Sequence, residues 1–347
     1  MPTQPDFEIG NQSVSAGTRK TVDIPISVLS DHTPVSMSVH VIHGRRTGPT
    51  LFVSAAIHGD EIIGVEIVRR LLRSRQVKSL RGTLLAIPVV NSFGFLNRSR
   101  YLPDRRDLNR SFPGTATGSL ASRLAHIFMT EIVAKSDFGI DLHSAAVHRT
   151  NLPQIRVSAS QPAAIERAKG FGAPFYLTSK IREGSLRHAA EDKGVNVLVY
   201  EAGEGLRFDE FSVRSGVTGI LRVMRDMGMI PDKGVPRLKV ESIGSSSSTW
   251  VRAPAGGLLR NFKTIGEQVA VNDVLGAISD PFGETETEIR AEINGLVIGR
   301  ANLPVVNEGD GIFHIARISK HEDAESTLDS LTATLDAAPL FDEDEII

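Results

Sequence analysis

The clearest alternation of hydrophobic and polar residues along the chain runs from Val35 to Val41. Every second residue there is apolar, and the residues between are serine or histidine. A period of two predicts a half-buried β-strand. Largely apolar runs predict four further strands, at 50–57, 82–90, 137–143 and 194–203.

Between these strands, apolar residues recur at the spacing of one helix face. One such stretch begins at Glu61, and another follows Ser119, a candidate N-cap. A third has Pro162 near its start and Gly170 just past its end. Strands that alternate with helices predict an α/β fold, with a largely parallel central sheet flanked by helices.

The pattern changes near the polar connector 243–251, after which helical periodicity stops. Short strands with glycine turns follow, and the pattern Ala-x-x-x-Gly-Leu occurs twice, beginning at Ala253 and at Ala291. These features predict a small β-sandwich or barrel. The expected organisation is a main α/β domain over 1–242 with N-terminal strands in 1–48, a small all-β domain over 250–318, and a polar tail over 319–347, either helical or partly disordered.

Composition narrows the chemistry. The chain of 347 residues contains no cysteine, which excludes disulfides, thiolate catalysis and cysteine-ligated zinc. The formal net charge of −2 gives no indication of binding to nucleic acid or to a membrane. The first residues lack the charged and apolar regions of a signal peptide, and there is no apolar run of membrane-spanning length. We therefore expect a cytoplasmic protein.

Polar residues stand where four of the predicted strands end. His58 and Asn91 follow their strands directly, His143 closes another, and Glu201 lies near the end of the last. In open α/β sheets, ligands bind outside the carboxyl ends of the strands. We therefore expect these distant residues to meet at one edge of the sheet.

Two histidines and a carboxylate, His58, Glu61 and His143, form the set that suits a catalytic zinc with an open coordination position. The alternative is that Glu61 only stabilises the N-terminus of a helix. A second His-x-x-Glu pair, His188 and Glu191, follows no predicted strand end, and an ordinary ion pair is favoured there.

Four sequence motifs, in the order "HGDE", "RRDLNRSFPG", "DLHSA" and "YEAGEG", cover about residues 50–205. Together they resemble the succinylglutamate desuccinylase/aspartoacylase family, a branch of the zinc carboxypeptidase superfamily. The later motifs "DPFGE" and "VNEGDGIFHIA" resemble the closing β-domain of that family. The resemblance implies a zinc-carboxypeptidase-like mixed sheet, largely parallel and flanked by helices, followed by a small all-β domain.

The resemblance also implies roles for the residues at the strand ends. His58, Glu61 and His143 match the ligands of one zinc ion per chain, and Glu201 matches the general base. Zinc is expected to polarise an amide carbonyl and to lower the pKa of water. A nearby carboxylate can take the proton and pass it to the leaving amine.

Within "DLNR", the family pattern makes Asn109 and Arg110 the pair that holds a substrate carboxylate. The planar fork of an arginine matches a carboxylate in two hydrogen bonds. Asp107 matches a residue that orients a zinc-bound histidine through its other ring nitrogen.

The arginine that stabilises the oxyanion is less sharply defined by the motifs. Arg100 precedes a tyrosine, as in the family, but Arg105 and Arg106 compete with it because the segment before "DLNR" is longer. Arg149 and Asn151 are candidate substrate contacts from a loop over 148–156. A plain surface loop is the alternative for that segment.

The leading hypothesis is a zinc-dependent hydrolase that removes an acyl group from a small N-acyl amino acid or related amine. A metallocarboxypeptidase acting on short peptides and a non-catalytic zinc-dependent binding protein are the alternatives. The expected partner is a small-molecule N-acyl substrate, and self-association into a homo-oligomer is left open.

Overall fold

The computed structural model describes residues 4–318 and 324–336 of the chain. Its strands are β1 Phe7–Ile9, β2 Gln12–Val14, β3 Thr18–Val28, β4 Pro34–His43, β5 Arg46–Ala55, β6 Arg81–Ile87, β7 Phe138–His143, β8 Arg149–Ser158, β9 Phe175–Ser179, β10 Asn196–Gly203, β11 Ile243–Ser245, β12 Ser248–Arg252, β13 Gly257–Asn261, β14 Gln268–Val269, β15 Val274–Ser279, β16 Glu286–Arg290, β17 Gly295–Ala301, β18 Val305–Val306 and β19 Gly311–Arg317. Its helices are α1 Ile63–Arg73, α2 Ser92–Asn97, α3 Leu120–Glu131, α4 Pro162–Phe171, α5 Leu186–Glu191, α6 Glu210–Asp226 and α7 Ala324–Asp336.

A thirteen-stranded mixed sheet forms the centre of the molecule. Its middle runs β10-β7-β5-β6, and these four neighbours are parallel. Antiparallel strands extend the sheet on both sides, with β4 and β3 beyond β6 and β8 beyond β10. The carboxyl ends of β5, β7 and β10 therefore lie side by side, as the alternation of strands and helices predicted.

Helices cover both faces of this sheet. The apolar residues of α1, α4 and α6 pack in one core, and those of α2, α3 and α5 pack in a second core on the other face. The side chain of Ser119 accepts a hydrogen bond from the backbone N–H of Ser122, so it caps α3 as the sequence predicted. The predicted fold class, a mixed α/β sheet flanked by helices and followed by a strand-rich region, is confirmed.

The segment expected as a loop over 148–156 is a strand instead, β8, paired antiparallel with β10. Pro153 lies where the register between these two strands shifts. Proline cannot donate to a ladder hydrogen bond, and a bulge is one of the few places in a sheet that tolerates it. The expectation that this segment is a surface loop was therefore wrong, because the segment is an inner strand of the sheet.

The C-terminal strands build a four-stranded sheet, β16-β15-β13-β18, and also extend the central sheet through β17, which pairs with β8. A separate apolar core fills the space between these strands.

The division of the chain into domains remains a prediction. Helix α7 lies within the predicted tail, and the rest of that tail lies outside the described residues. None of the helices in the described parts of the chain is long and apolar enough to span a membrane.

Candidate metal centre and substrate pocket

Three residues predicted as zinc ligands converge at the carboxyl ends of β5 and β7. His58 follows β5, Glu61 precedes α1, and His143 is the last residue of β7. The Nδ1 atoms of His58 and His143 each lie 2.7 Å from a different oxygen of Glu61. All three residues are buried, and their donor atoms lie within 4.8 Å of one another. These residues could hold a metal ion.

The outer nitrogen of each histidine is held by a carboxylate. Nε2 of His58 lies 3.1 Å from Oδ1 of Asp107, and Nε2 of His143 lies 2.7 Å from Oδ2 of Asp141. Ser54 donates to the other oxygen of Asp141 at 2.8 Å. With Nε2 donating to a carboxylate, each ring turns its Nδ1 toward the centre of the cluster.

Asp107 thus lies where the sequence motif predicted an orienting carboxylate, whereas Asp141 had not been singled out. A signal for it was present, because Asp141 stands two residues before His143 on the same strand. Residues two apart in a strand project to the same face, so the pair shares one face of β7, a strand that is buried throughout.

The charges of the cluster reinforce one another. Burial opposes ionisation of Glu61, but His58 and His143 outweigh it and hold the pKa of this carboxyl well below its ordinary range. Burial likewise opposes the charged form of His143, but Asp141 and Glu61 raise its pKa well above the usual value. The site therefore keeps an ionised carboxylate and attracts positive charge, which a metal ion would supply in competition with protons.

Glu201 lies on β10 directly opposite His143 on β7. Asn151 donates a hydrogen bond from Nδ2 to Oε2 of Glu201 at 3.1 Å, and Nη1 of Arg156 lies 3.4 Å from Oε1. Asn151, predicted as a substrate contact, thus holds the candidate base. Arg156 had not been predicted, because only the pairing of β8 with β10 brings it to this place.

The arginines before "DLNR" separate in space. Arg100 donates to Asp107 at 2.9 Å and to Glu61 at 3.2 Å, and it lines the pocket beside the cluster. The Arg106 side chain is 63% exposed, lies 4.0 Å from Asp104, and is not among the residues that line the pocket. Arg105 is exposed as well. Of the three, the structure brings only Arg100 to the site.

Asn109 and Arg110 lie on a short 3₁₀ turn capped by Asp107, and both line the pocket. The Oδ1 atom of Asn109 accepts a hydrogen bond from the backbone N–H of Leu186 at 2.9 Å, at the start of α5. Its Oδ1 atom is therefore engaged by the protein, which leaves the amide nitrogen for a ligand. Arg110 is exposed and donates from Nη1 to the Asn109 carbonyl.

A pocket of about 390 Å³ opens beside the cluster, a volume suited to a small ligand. Arg149, a candidate substrate contact, lines it from the first position of β8. Asn91 is not among the lining residues; its side chain caps α2 by accepting from Gly94. Further lining residues had not been predicted from the sequence: Arg156, Lys180, Arg182, Arg187 and Trp250.

Comparisons with known proteins agree with this geometry. Residues 47–227 match the model of the succinylglutamate desuccinylase/aspartoacylase catalytic domain. The chain is 28% identical to the N-alpha-acetyl-L-2,4-diaminobutyric acid deacetylase of Halomonas elongata over 79% of this chain and 84% of the relative.

Two solved structures resemble the whole fold. The succinylglutamate desuccinylase/aspartoacylase of Rhodobacter sphaeroides has a TM-score of 0.78 and 25% identity, and the match covers 87% of this chain and 96% of the other. The product-bound ectoine utilization protein EutE (DoeB) of Ruegeria pomeroyi has a TM-score of 0.77 and 26% identity, with 86% and 95% covered. The chain belongs to the succinylglutamate desuccinylase/aspartoacylase family, as its motifs predicted.

Proposed function

We propose that this protein is a zinc-dependent amide hydrolase that removes the acyl group from a small N-acyl amino acid. The observation that carries the proposal is the buried set of His58, Glu61 and His143 beside Glu201, in a pocket of small-molecule size. The Halomonas relative, named as a deacetylase of an acetylated amino acid, supports the same reaction class.

His58, Glu61 and His143 fit zinc because nitrogen and carboxylate donors are its preferred ligands where cysteine is absent. The Nε2 atoms of the two histidines are already held by Asp107 and Asp141, which leaves their Nδ1 atoms, beside the Glu61 carboxylate, for the ion. When bound, zinc would supply a Lewis acid for the amide carbonyl and would lower the pKa of water.

Glu201 is the proposed general base. It would take a proton as water adds to the acyl carbon, and would return it to the nitrogen as the C–N bond breaks, leaving a free amine and a carboxylic acid that then ionises. Asn151 and Arg156 hold both oxygens of Glu201 in place beside His143. A carboxylate held this way needs little reorganisation during the reaction.

Arg100 is the proposed stabiliser of the oxyanion, because it lines the pocket and is fixed by Asp107 and Glu61. Arg110 and the amide nitrogen of Asn109 are proposed to bind the carboxylate of the amino acid. Arg149 would contact the substrate from the edge of the same pocket.

The test combines metal analysis with an assay of amine release. Protein loaded with zinc is expected to hold one ion per chain, and the His143→Ala variant is expected to lose it. Wild type should release free amine from members of an N-acyl amino acid panel. The Glu201→Gln variant should keep its zinc and lose about 10²–10⁴-fold in turnover, the usual contribution of a positioned base.

Glu183→Gln is the matched control, because Glu183 is an exposed acid near the pocket that does not line it. It should retain wild-type turnover. A Glu201→Gln variant with zinc in place and near-normal turnover would assign the base elsewhere. Absence of amine release from every N-acyl amino acid would contradict the proposed function itself.

A further inference from the structure

The loop between β7 and β8 contains a residue in a strained backbone conformation. This loop, 144–148, joins the candidate ligand His143 to Arg149, the first residue of β8. Its last residue, His148, has a φ of +68°. Residues other than glycine rarely adopt this left-handed region, because the Cβ atom lies too close to the following carbonyl oxygen. Such a conformation persists only where surrounding contacts hold it.

Both polar backbone groups of His148 are held by other segments of the chain. Its N–H donates to Oε1 of Glu204 at 2.9 Å, and its carbonyl accepts from the backbone N–H of Asn302 at 2.8 Å. The other oxygen of Glu204, Oε2, accepts from Nδ2 of Asn302 at 2.9 Å. Glu204 follows β10 and Asn302 follows β17, so the three residues close a ring of hydrogen bonds, which we call the His148 clamp.

Glu204 is the second acid of the motif "YEAGEG", and the proposed reaction gives it no part. It is not among the residues that line the substrate pocket, and its side chain is 21% exposed. Its two oxygens accept from N–H groups that carry no charge. Hydrogen bonds to a charged acceptor are stronger than those between neutral groups. Glu204 is therefore suited to hold the strained turn at His148.

Arg149 comes directly after the clamp and reaches into the pocket. Its side chain lines the pocket, and its guanidinium lies 5.1 Å from the centre of the Trp250 ring. Its backbone N–H donates to the carbonyl of Ala146 at 3.0 Å, across the turn that His148 closes. In a strand, the backbone fixes the direction of each side chain. A change of φ at His148 would therefore rotate the start of β8 and, with it, the direction of the Arg149 side chain.

We infer that Glu204 and Asn302 are positioning residues, which fix the turn at His148 and through it the orientation of Arg149 in the pocket. This inference rests on the proposed function, in which Arg149 contacts the substrate. Asn302 also donates from Nδ2 to Oγ1 of Thr150 at 2.6 Å, so it holds the residues on both sides of Arg149. Asn302 does not line the pocket, and the C-terminal strands thus support substrate binding through it from behind.

Glu204→Gln tests the clamp in steady-state kinetics. Glutamine has the size of glutamate but a single acceptor oxygen, so it cannot accept from both His148 and Asn302. With the N-acyl amino acid that wild type cleaves best, KM should rise by about tenfold, the effect of losing one hydrogen bond to a charged group. The kcat should change little, because a contact made equally in the bound substrate and in the transition state affects KM alone. Glu308→Gln, a change at an exposed acid between β18 and β19, should match wild type in both constants. An unchanged KM in Glu204→Gln would overturn the inference.

A second substitution separates positioning from a direct effect of the Glu204 charge. Glycine adopts a left-handed φ without strain, so the turn in His148→Gly depends less on the clamp. Relative to His148→Gly alone, adding Glu204→Gln should raise KM by less than about threefold. The same rise in both backgrounds would show that Glu204 does not act through the turn. If Glu204→Gln does not fold, Asn302→Ala takes its place, since it leaves the bond between Glu204 and His148 intact; its KM should also rise, and an unchanged KM would overturn the inference.

The fluorescence of Trp250, the only tryptophan of the chain, reports on the orientation of Arg149 without turnover. Because the Arg149 guanidinium lies over the Trp250 ring, Arg149→Ala should expose the ring and increase its quenching by acrylamide. Glu204→Gln should increase quenching toward the level of Arg149→Ala, whereas Glu308→Gln should not. Quenching in Glu204→Gln equal to that in wild type would overturn the inference even where amine release is seen. Increased quenching in a protein that releases no amine would instead contradict the proposed function and support the clamp.

Discussion

At the scale of single residues, the two histidines of the candidate metal centre are oriented by carboxylates bonded to their Nε2 atoms. Asp141 is buried, receives a hydrogen bond from Ser54, and lies 2.7 Å from Nε2 of His143. An imidazole held in this way has a fixed tautomer and a fixed orientation, and its inner nitrogen becomes a stronger donor to a metal. Asp141 should therefore set metal affinity although it is not a ligand.

We predict that Asp141→Asn weakens zinc binding by about 10- to 100-fold, because the amide keeps the size of the side chain but loses the charge that orients His143. Competition with a chelator of known affinity measures the change. Asp137→Asn is the control, since Asp137 stands just before β7, is exposed, and its side chain accepts a hydrogen bond from the backbone N–H of Thr50 on β5. Equal zinc affinity in the Asp141→Asn variant and wild type would show that Asp141 has no orienting role.

At the scale of elements, the position of Glu61 depends on how closely α1 approaches the sheet. Gly64 lies in the first turn of α1, over β5 and β7. A Cβ atom added there would lie 2.7 Å from the Cβ atoms of both Ala55 and Leu142, which is closer than such atoms pack. The absence of a side chain at Gly64 thus lets the helix start, with Glu61 just before it, sit against the strand ends.

We predict that Gly64→Ala lowers the free energy of unfolding by about 1–3 kcal/mol, the usual effect of overpacking a core. It should also weaken zinc binding, because a displaced α1 moves Glu61 away from the two histidines. Chemical denaturation and chelator competition measure the two effects.

The matched control is Gly170→Ala in α4. There the added Cβ would meet only the flexible carboxylate of Asp226 at 2.9 Å. Alanine favours a helix over glycine by about 0.5–1 kcal/mol, so this variant should be as stable as wild type or more so. If Gly64→Ala behaved in the same way, close helix packing would not position Glu61.

At the scale of the whole molecule, the parts of the site that local patterns could predict are those at the ends of parallel strands. His58, His143 and Glu201 each follow an apolar run directly, and a parallel sheet brings such ends together. The motifs supplied the remaining predicted residues by resemblance. These predictions needed only the order of strands and helices.

The parts that could not be predicted depend on pairing between distant segments. Arg156 reaches the pocket only because β8 pairs with β10, and Trp250 reaches it from β12 at the far side of the same sheet. Arg187 lies on the short helix α5, which no pattern in the sequence placed near the strand ends. Register across a sheet is a tertiary property, and a single sequence carries little local signal for it.

The C-terminal strands join the pocket through a stack of three side chains. The ring of Trp250 lies parallel to that of His314 at 4.7 Å, and the guanidinium of Arg149 lies 5.1 Å from the centre of the Trp250 ring. His314 is buried on β19, with Nε2 bonded to Ser248. The stack connects β12 and β19 to the first residue of β8.

We predict that His314 makes the protein sensitive to acid. Burial, and next the charge of Arg156, lower the pKa of His314 to about 3 from its ordinary 6.5. The unfolded chain therefore takes up the proton first, so stability is intact above pH 6.5 and is lost as the pH falls from 6.5 toward 3. At pH 4.5 the loss should be about 2–3 kcal/mol.

The test compares the free energy of unfolding at pH 7 with that at pH 4.5. The difference between the two should shrink by about 2–3 kcal/mol in His314→Gln, because glutamine cannot take up a proton. It should stay as in wild type in His32→Gln, a change at an exposed histidine. Equal differences in all three proteins would mean that His314 accepts a proton in the folded state as readily as in the unfolded chain, and that its burial does not couple the C-terminal strands to pH.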